Sequence, residues 1–336
     1  MKASCLINSH NYAAFIGEAI DSALHQTRAF DEIIVVDDGS TDGTVDLLRR
    51  RFSAHQRLRI CCKPQGGQLS CFHRGLAETD ADLLFFLDAD DRYRPGMLAA
   101  AIGLYSAHPG VDFLSVGCRE FGEGTPQRLR RQPTRDRGIS AVGAALHRLW
   151  VGNPTSCLSV KADLARRILP YPKESDWQTR ADDVLVFGAS LAGAHKFHLE
   201  APLVDYRIHD NNNFSGRSLT ATDKMQYALR VDQLINWYLD QLGHDRASMS
   251  YLLNREFRTW QQPSLKELRS YLRMLGRAGL PWSARLEYAA DMVMHYVKER
   301  RLAKSENVDI LASGVPDDAS VAETGGQVAG ENRRVA

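Results

Sequence analysis

Leu83-Leu84-Phe85-Phe86-Leu87-Asp88-Ala89-Asp90-Asp91-Arg92 sets the architecture around it. Five apolar residues run into three carboxylates within four positions. The apolar run is too short to cross a membrane and lacks helical spacing, which leaves a strand buried on both faces of a parallel sheet. Asp88, Asp90 and Asp91 then fall where that strand stops. Carboxylates crowded this way are costly unless a cation or ligand hydroxyls compensate them. A hard divalent ion takes a few carboxylate oxygens and fills its remaining positions with water and phosphate. An isolated Asp-x-Asp is more simply a solvated acidic turn, so the surroundings must decide.

Outward from this run, strands and helices alternate. Ser4–Ile7 reads as a short buried strand, and Ile16, Ala19, Ile20, Ala23 and Leu24 form one helical stripe. Glu32–Val36 is a β-branched strand, followed by turn and cap residues from Asp37 to Thr44 and a helix over Val45–Phe52; Asp42 suits the cap. Leu58–Cys62 is a third strand, Lys63–Gln68 a loop, and a helix follows to Glu78. Downstream, Pro95 opens a helix to Ala107 and Phe113–Val116 is a strand. Repeated β-α-β units require right-handed crossovers, hence an α/β, Rossmann-like, mostly parallel sheet with helices on both faces. Ligands of such sheets sit at the carboxyl ends of the strands. The polar motifs all fall at those ends, so they compose one site.

Residues 122–138 are rich in Gly, Pro and Arg and read as a mobile loop. Trp150–Val160 leads into a short helix, a second helix spans Asp183–Ala192, and Leu203–Tyr206 is a strand. From Thr222 to Arg301 the pattern is helical, two to four helices, with Leu229, Leu234, Trp237, Tyr238 and Leu242 expected inside. The expected division is a catalytic unit over 1–215, a C-terminal helical region over 216–303 and a disordered tail over 304–336.

Bulk properties exclude several classes. The 336 residues suffice for a sizeable core. With 42 basic and 41 acidic side chains the net charge is +1, which gives no global attraction to nucleic acid or anionic membrane. The basic cluster from Arg128 to Arg137 is explained equally well by a solvated loop. No run approaches the roughly 20 apolar residues of a membrane helix. The six cysteines show no Cys-x-x-Cys pair, which points to a reduced, cytoplasmic protein and away from zinc. No Gly-x-Gly-x-x-Gly follows the first strand and no Walker loop is present.

With these residues in place, the first 210 or so resemble an inverting glycosyltransferase of the GT-A fold, family two. The resemblance rests on Ile7–Tyr12, Asp21–Thr27, Ile34–Thr44, Gly66-Gly67-Gln68, Leu87–Asp91, Asn153–Ser156, Ala181–Leu185 and Tyr206–His209, in that order. The C-terminal helices lie outside it. It implies that Asp38 binds the nucleotide base, with Asn8 and His10 beside base and ribose, although Tyr is more usual at the His10 position. Gly67 would lie near the phosphates. Asp88, with Ala89, would hold the ribose or sugar, and Asp90 the Mn2+ or Mg2+ that bridges the diphosphate; Asp91 would stand behind them. Asp182 aligns without gaps with the family's general base, and the adjacent Asp183 is the alternative; either can also cap its helix. His209 is a further metal ligand or diphosphate contact, or an ordinary polar residue. Trp150, Asn153 and Thr155 would border the acceptor pocket, with a plain core position the competing reading of Trp150.

The expected activity is therefore metal-dependent, inverting transfer of a sugar from a nucleoside diphosphate donor, UDP-linked, to a hydroxyl acceptor. The acceptor would be a glycan or a lipid-linked sugar, in polysaccharide or glycoconjugate biosynthesis. A nucleotidyltransferase-like enzyme and a catalytically silent binding module are the alternatives. No nucleic-acid partner is expected. The C-terminal helices would close over the catalytic unit; self-association, or contact with the inner face of a membrane, are their other readings.

Overall fold

A computed structural model describes residues 1–122, 128–130, 132–209 and 220–312, with the backbone alone at 130 and 304–312. The chain runs β1 (Ala3–Ser9), α1 (Ile16–Leu24), β2 (Glu32–Asp38), α2 (Thr44–Phe52), β3 (Leu58–Lys63), α3 (Gln68–Ala77) and β4 (Leu83–Asp88). It continues through β5 (Arg92–Tyr93), α4 (Met97–Ala107), β6 (Phe113–Phe121), β7 (Arg128–Arg130), β8 (Arg135–Gly138), α5 (Ala141–His147), β9 (Leu158–Lys161), α6 (Ala162–Ile168), α7 (Ala181–Leu191) and β10 (Lys196–Arg207). Four helices follow, α8 (Ala221–Leu242), α9 (Leu253–Phe257), α10 (Leu265–Arg277) and α11 (Trp282–Ala312).

The strands form one sheet in the order β3-β2-β1-β4-β9-β6-β10-β5, with β7 on β6 and β8 on β10. Its first four strands are parallel, and β1 lies between β2 and β4 so that Asn8 faces Val36 on one side and Asp88 on the other. That register brings Asn8, Asp38 and Asp88 to one edge. Side chains alternate across a strand, and β4 obeys this: Leu83, Phe85 and Leu87 enter one core, Leu84 and Phe86 the other. The antiparallel β9 enters between β4 and β6. It carries Ser156, just before it, to the end of β4.

The C-terminal helices share the core of the sheet. One continuous apolar cluster joins Leu6, Val36 and Phe86 to Tyr238, Phe257, Tyr271 and Met292. Tyr238 of α8 donates to the Ile168 carbonyl, and its ring packs where any Cβ on Gly188 would stand 2.7 Å from the phenol oxygen. Glu256 of α9 is buried; its carboxylate accepts from the Val142 and Gly143 N–H groups and from the Tyr271 hydroxyl at 2.7 Å.

Three expectations change. Residues 122–138 are not one loop: they contain β7, which folds back on the neighbouring β6, and β8, which pairs with the distant β10, while 123–127 and 131 lie outside the described residues. Leu229 is exposed, because α8 turns Leu234, Ile235 and Tyr238 inward instead. The backbone of α11 runs to Ala312, past the expected start of the tail, and 313–336 lie outside the described residues. Among the described residues no helix is long and apolar enough to cross a membrane.

Glu256→Ala leaves three buried donors unmatched and should lower stability by about 3 kcal/mol. Urea unfolding read by circular dichroism measures this. A loss below about 0.5 kcal/mol, the range of a neutral surface change, would contradict the shared core.

Candidate active site

One cavity of about 1110 Å³ opens at the carboxyl edge of the sheet. Asn8, His10, Asp38, Gly67, Asp88, Ala89, Asp90, Trp150, Asn153, Thr155, Asp182 and His209 all line it; of the expected site residues only Asp183 does not.

The three carboxylates at the end of β4 have separate surroundings. Asp91 is turned inward: Ser156 Oγ donates to one oxygen at 2.6 Å and the Arg207 N–H to the other at 2.8 Å. Ser156 Oγ also accepts from the Asp88 N–H at 3.0 Å, so one hydroxyl joins both carboxylate residues to the turn before β9. Asp91 ties β4 to the end of β10, and burial with the charges of Asp90 and Asp88 pushes its carboxyl well above the usual range. Asp88 borders the cavity and accepts from Gln68 Nε2 at 2.8 Å. Burial first, then the Asp90 charge, push its carboxyl up to about 7 against the hydrogen bonds of Asn8, Gln68 and Thr155. Asp90 meets His209 at 3.0 Å between Oδ2 and Nε2. The His209 ring is braced by Phe15 at 5.0 Å and Tyr12 at 6.3 Å between centroids. Among the described residues no cluster of three or more His, Cys, Asp or Glu is arranged to hold a metal alone. A pair at a cavity wall still matches an ion that draws its other ligands from phosphate and water.

Asp38 lines the cavity and is already engaged by the protein. Its two oxygens accept from the Gly66 N–H at 2.8 Å and the Gly67 N–H at 2.7 Å, and Lys63 Nζ pairs with the first. The loop's amides and its cation therefore face Asp38 rather than an incoming phosphate. Asp38 also positions His10, whose Nδ1–H donates to the Asp38 carbonyl at 2.7 Å. Gly67 is required by space and conformation: φ is +89°, and a Cβ would stand 2.4 Å from Gln178 Cα. Asp42 acts at the start of α2, accepting from the Thr44 N–H at 3.0 Å and from the Ala13 N–H at 2.9 Å.

Asp182 and Asp183 separate cleanly. Asp183 is fully buried; Arg180 reaches it at 2.8 and 3.2 Å and the Tyr227 hydroxyl at 3.0 Å. Asp182 faces the cavity, and the Asp183 N–H holds its Oδ1 at 3.1 Å. Although part of its surface is open to the cavity, burial and the neighbouring Asp183 charge push its carboxyl up to about 8.

Gln68 is the site residue that sequence reasoning left without a role. Its Nε2 donates to Asp88 and its Oε1 accepts from the Ala181 N–H at 2.9 Å, so one amide spans from β4 to the start of α7. The only sequence signal was its place after Gly66-Gly67 at a helix start. On the acceptor side, Asn153 is occupied structurally, donating to the Val116 carbonyl at 2.8 Å and accepting from Gln132 at 3.2 Å. Trp150 is half-buried, and its Nε1 is buried with no partner among the described residues.

The sequence profile described as Glycosyl transferase family 2 matches residues 4–167, which carry Asn8, Asp38, Gln68 and the Asp88–Asp91 cluster. Residues 4–167 therefore carry the sequence pattern of that family. This glycosyltransferase is 27% identical over 277 residues to an uncharacterized glycosyltransferase of Nostoc, covering 80% of this chain and 85% of that one. TuaG of Bacillus subtilis, named for teichuronic acid biosynthesis, is 29% identical across 68% of this chain and 86% of its own length. Residues 1–349 of S. aureus TarS, crystallised with UDP-GlcNAc, superimpose with a TM-score of 0.58 over 91% of this chain and 92% of that one at 19% identity. The fold is therefore the GT-A fold of nucleotide-diphospho-sugar transferases, extended by C-terminal helices.

Asp91→Ala removes the acceptor of two buried donors and should destabilise the enzyme by about 2–3 kcal/mol, whereas Asp91→Asn keeps one bond and costs less. Thermal unfolding of the two variants side by side checks the order. Equal losses would mean that Asp91 does not join the strands.

Proposed function

We propose that this glycosyltransferase moves a sugar from a UDP-linked donor to a hydroxyl acceptor with inversion at the anomeric carbon, in the assembly of a polysaccharide or glycoconjugate. One observation carries the reading. A single cavity presents Asp88 and Asp90 from β4 and Asp182 from α7, while Asp91 and Asp183, the adjacent carboxylates, are withdrawn into the protein. The UDP-GlcNAc complex of S. aureus TarS, a protein of the same fold, supports the uridine diphosphate part.

Asp182 is the general base of this reading. The Asp183 N–H fixes one of its oxygens, which leaves the other to take the proton of the acceptor hydroxyl as that oxygen bonds to the sugar. Asp88 is oriented by Gln68 to meet a ribose or sugar hydroxyl. Asn8, whose Oδ1 is buried without a partner among the described residues, offers an acceptor on the same side. Asp38 shapes the nucleotide end through Gly66, Gly67 and His10, and any pyrimidine N–H must share an oxygen those groups already use.

Asp90 and His209 would hold a Mn2+ or Mg2+ ion. Their donor set fits one, a carboxylate oxygen and an imidazole nitrogen 3.0 Å apart on the cavity wall. When bound, such an ion neutralises charge that builds on the departing diphosphate. The pair requires the imidazole nitrogen unprotonated to act as ligand, and the aromatic brace of Phe15 and Tyr12 keeps the ring facing Asp90.

Calorimetric titration with UDP, with and without Mn2+, tests the reading. Metal-strengthened UDP binding that Asp90→Ala removes is the expected result; metal-independent binding unchanged in that variant would sink the ion's role. Asp182→Asn should lower transfer by ~10²–10⁴-fold while UDP affinity is kept. Retained turnover would move the base elsewhere. Because the Asp182 carboxyl is pushed up to about 8 and a base must be ionised, the wild-type rate should climb from pH 6 to above pH 8. A rate already flat from pH 5 upward would contradict that assignment.

A further inference from the structure

The cavity is larger than one ligand needs. Small-molecule pockets run to roughly 1,000 Å³, and its second arm is walled by groups the donor reading does not use: Gln132, Arg137, Trp150, Trp260, Glu267 and Tyr271. Arg137 comes from the Arg128–Arg137 cluster, which in the sequence a solvated loop explains equally well. Its strand, β8, pairs with the start of β10 (Phe197 opposite Asp136), whereas His209 follows the end of β10. Lys196 pairs with Phe113 and Arg207 with Phe121, so eight steps of β6, roughly 25 Å, separate the two ends. An arginine side chain cannot span that distance to a diphosphate held at Asp90.

The charges in this arm do not balance. Arg135 grips Glu267 with both Nη atoms, and Arg137 Nη1 shares the same Oε1 at 3.1 Å. Two guanidiniums, 9% and 13% exposed, thus divide one carboxylate. Among the described residues Arg137 Nη2 meets only the neutral Gln132 Oε1, at 2.7 Å. Among the described residues the other ionisable groups do not offset the excess. Asp136, on the opposite face of β8, is taken by His195 at 2.6 Å. Glu256 is bound by backbone N–H groups and Tyr271. Lys196 lies on the Val151 and Val186 carbonyls and Ser190. His198 is held neutral by burial and by the two arginines, which lower its pKa to about 4. A desolvated cation without a full counter-charge is costly, and an anionic ligand would supply the missing charge. Trp150, whose buried Nε1 has no partner among the described residues, lines the same arm.

We propose that this arm is the acceptor subsite and that it selects an acceptor bearing an anionic group, a carboxylate or a phosphate, which Arg137 receives while Trp150 and Trp260 line the space for its ring. The assignment rests on the transferase reading above, and it makes the C-terminal helices, through Trp260, Glu267 and Tyr271, part of the substrate site.

The test is calorimetric titration of the full chain, with UDP and Mn2+ present, using three probes: phenyl β-glucoside, phenyl β-glucuronide and phenyl β-glucoside 6-phosphate. At least one anionic probe should bind about tenfold or more tightly than the neutral one, the effect of one charge-assisted contact; which of the two is preferred identifies the anion. Arg137→Gln should erase that preference. Glu267→Gln, which removes the competing carboxylate, should strengthen the anionic probe, and added salt should weaken it. Equal binding of all three probes, no binding of either anionic probe, a preference that survives Arg137→Gln, or weaker anionic binding in Glu267→Gln would each overturn the inference. If Arg137→Gln does not fold, the Glu267→Gln and salt results decide alone. UDP titrated in parallel separates the readings: loss of UDP binding to the wild type refutes the donor assignment, whereas UDP binding without anion preference refutes only this one.

Discussion

Asp88, Asp90 and Asp91 stand within four residues at the end of a buried strand, and their mutual repulsion constrains everything around them. The fold answers by giving each a different set of partners. Asp91 is drawn into the protein by Ser156 and the Arg207 backbone, Asp88 is steadied by Gln68, and Asp90 faces His209. Each partner comes from a distant part of the chain: the turn before β9, the start of α3 and the end of β10. The site therefore forms only when the whole sheet has closed, and its geometry depends on the antiparallel insertion of β9 as much as on the parallel half.

The same logic operates around α7. Two adjacent aspartates begin that helix, and Arg180, in a left-handed conformation at φ +63°, folds back on Asp183 so that Asp182 alone meets the cavity. Tyr227 of α8 completes the partner set of Asp183. The C-terminal helices thus act on Asp182 indirectly, by fixing its neighbour. They do so again at Glu256, which joins α5 to α10 through buried hydrogen bonds.

What could be read from the sequence was local. Strand and helix periods, the buried β4 and the placement of polar motifs at strand ends all follow from spacing within a few residues, and the described elements match them closely. What could not be read needed partners far along the chain. The pairing of Arg135–Gly138 with β10 is one case, and the saturation of Asp38 by Gly66 and Gly67 is another. Gln68 was visible as part of a motif, but its two-ended bond from Asp88 to Ala181 has no sequence signature. Spacing alone left Asp183 as an alternative to Asp182 because adjacent residues of one helix diverge in direction only once the helix is packed. Leu229 failed for a related reason: a helical stripe admits more than one inward face until a neighbour selects it.

In the proposed displacement, Asp182 and the departing diphosphate lie on opposite sides of the transferred sugar. The anomeric configuration of the first-formed product from an α-linked UDP-sugar, followed by proton NMR before mutarotation, tests this directly. A β-configured product is the result that proposed inversion predicts. An α-configured product would mean that the sugar keeps its configuration and that Asp182 does not act as the base of a single displacement.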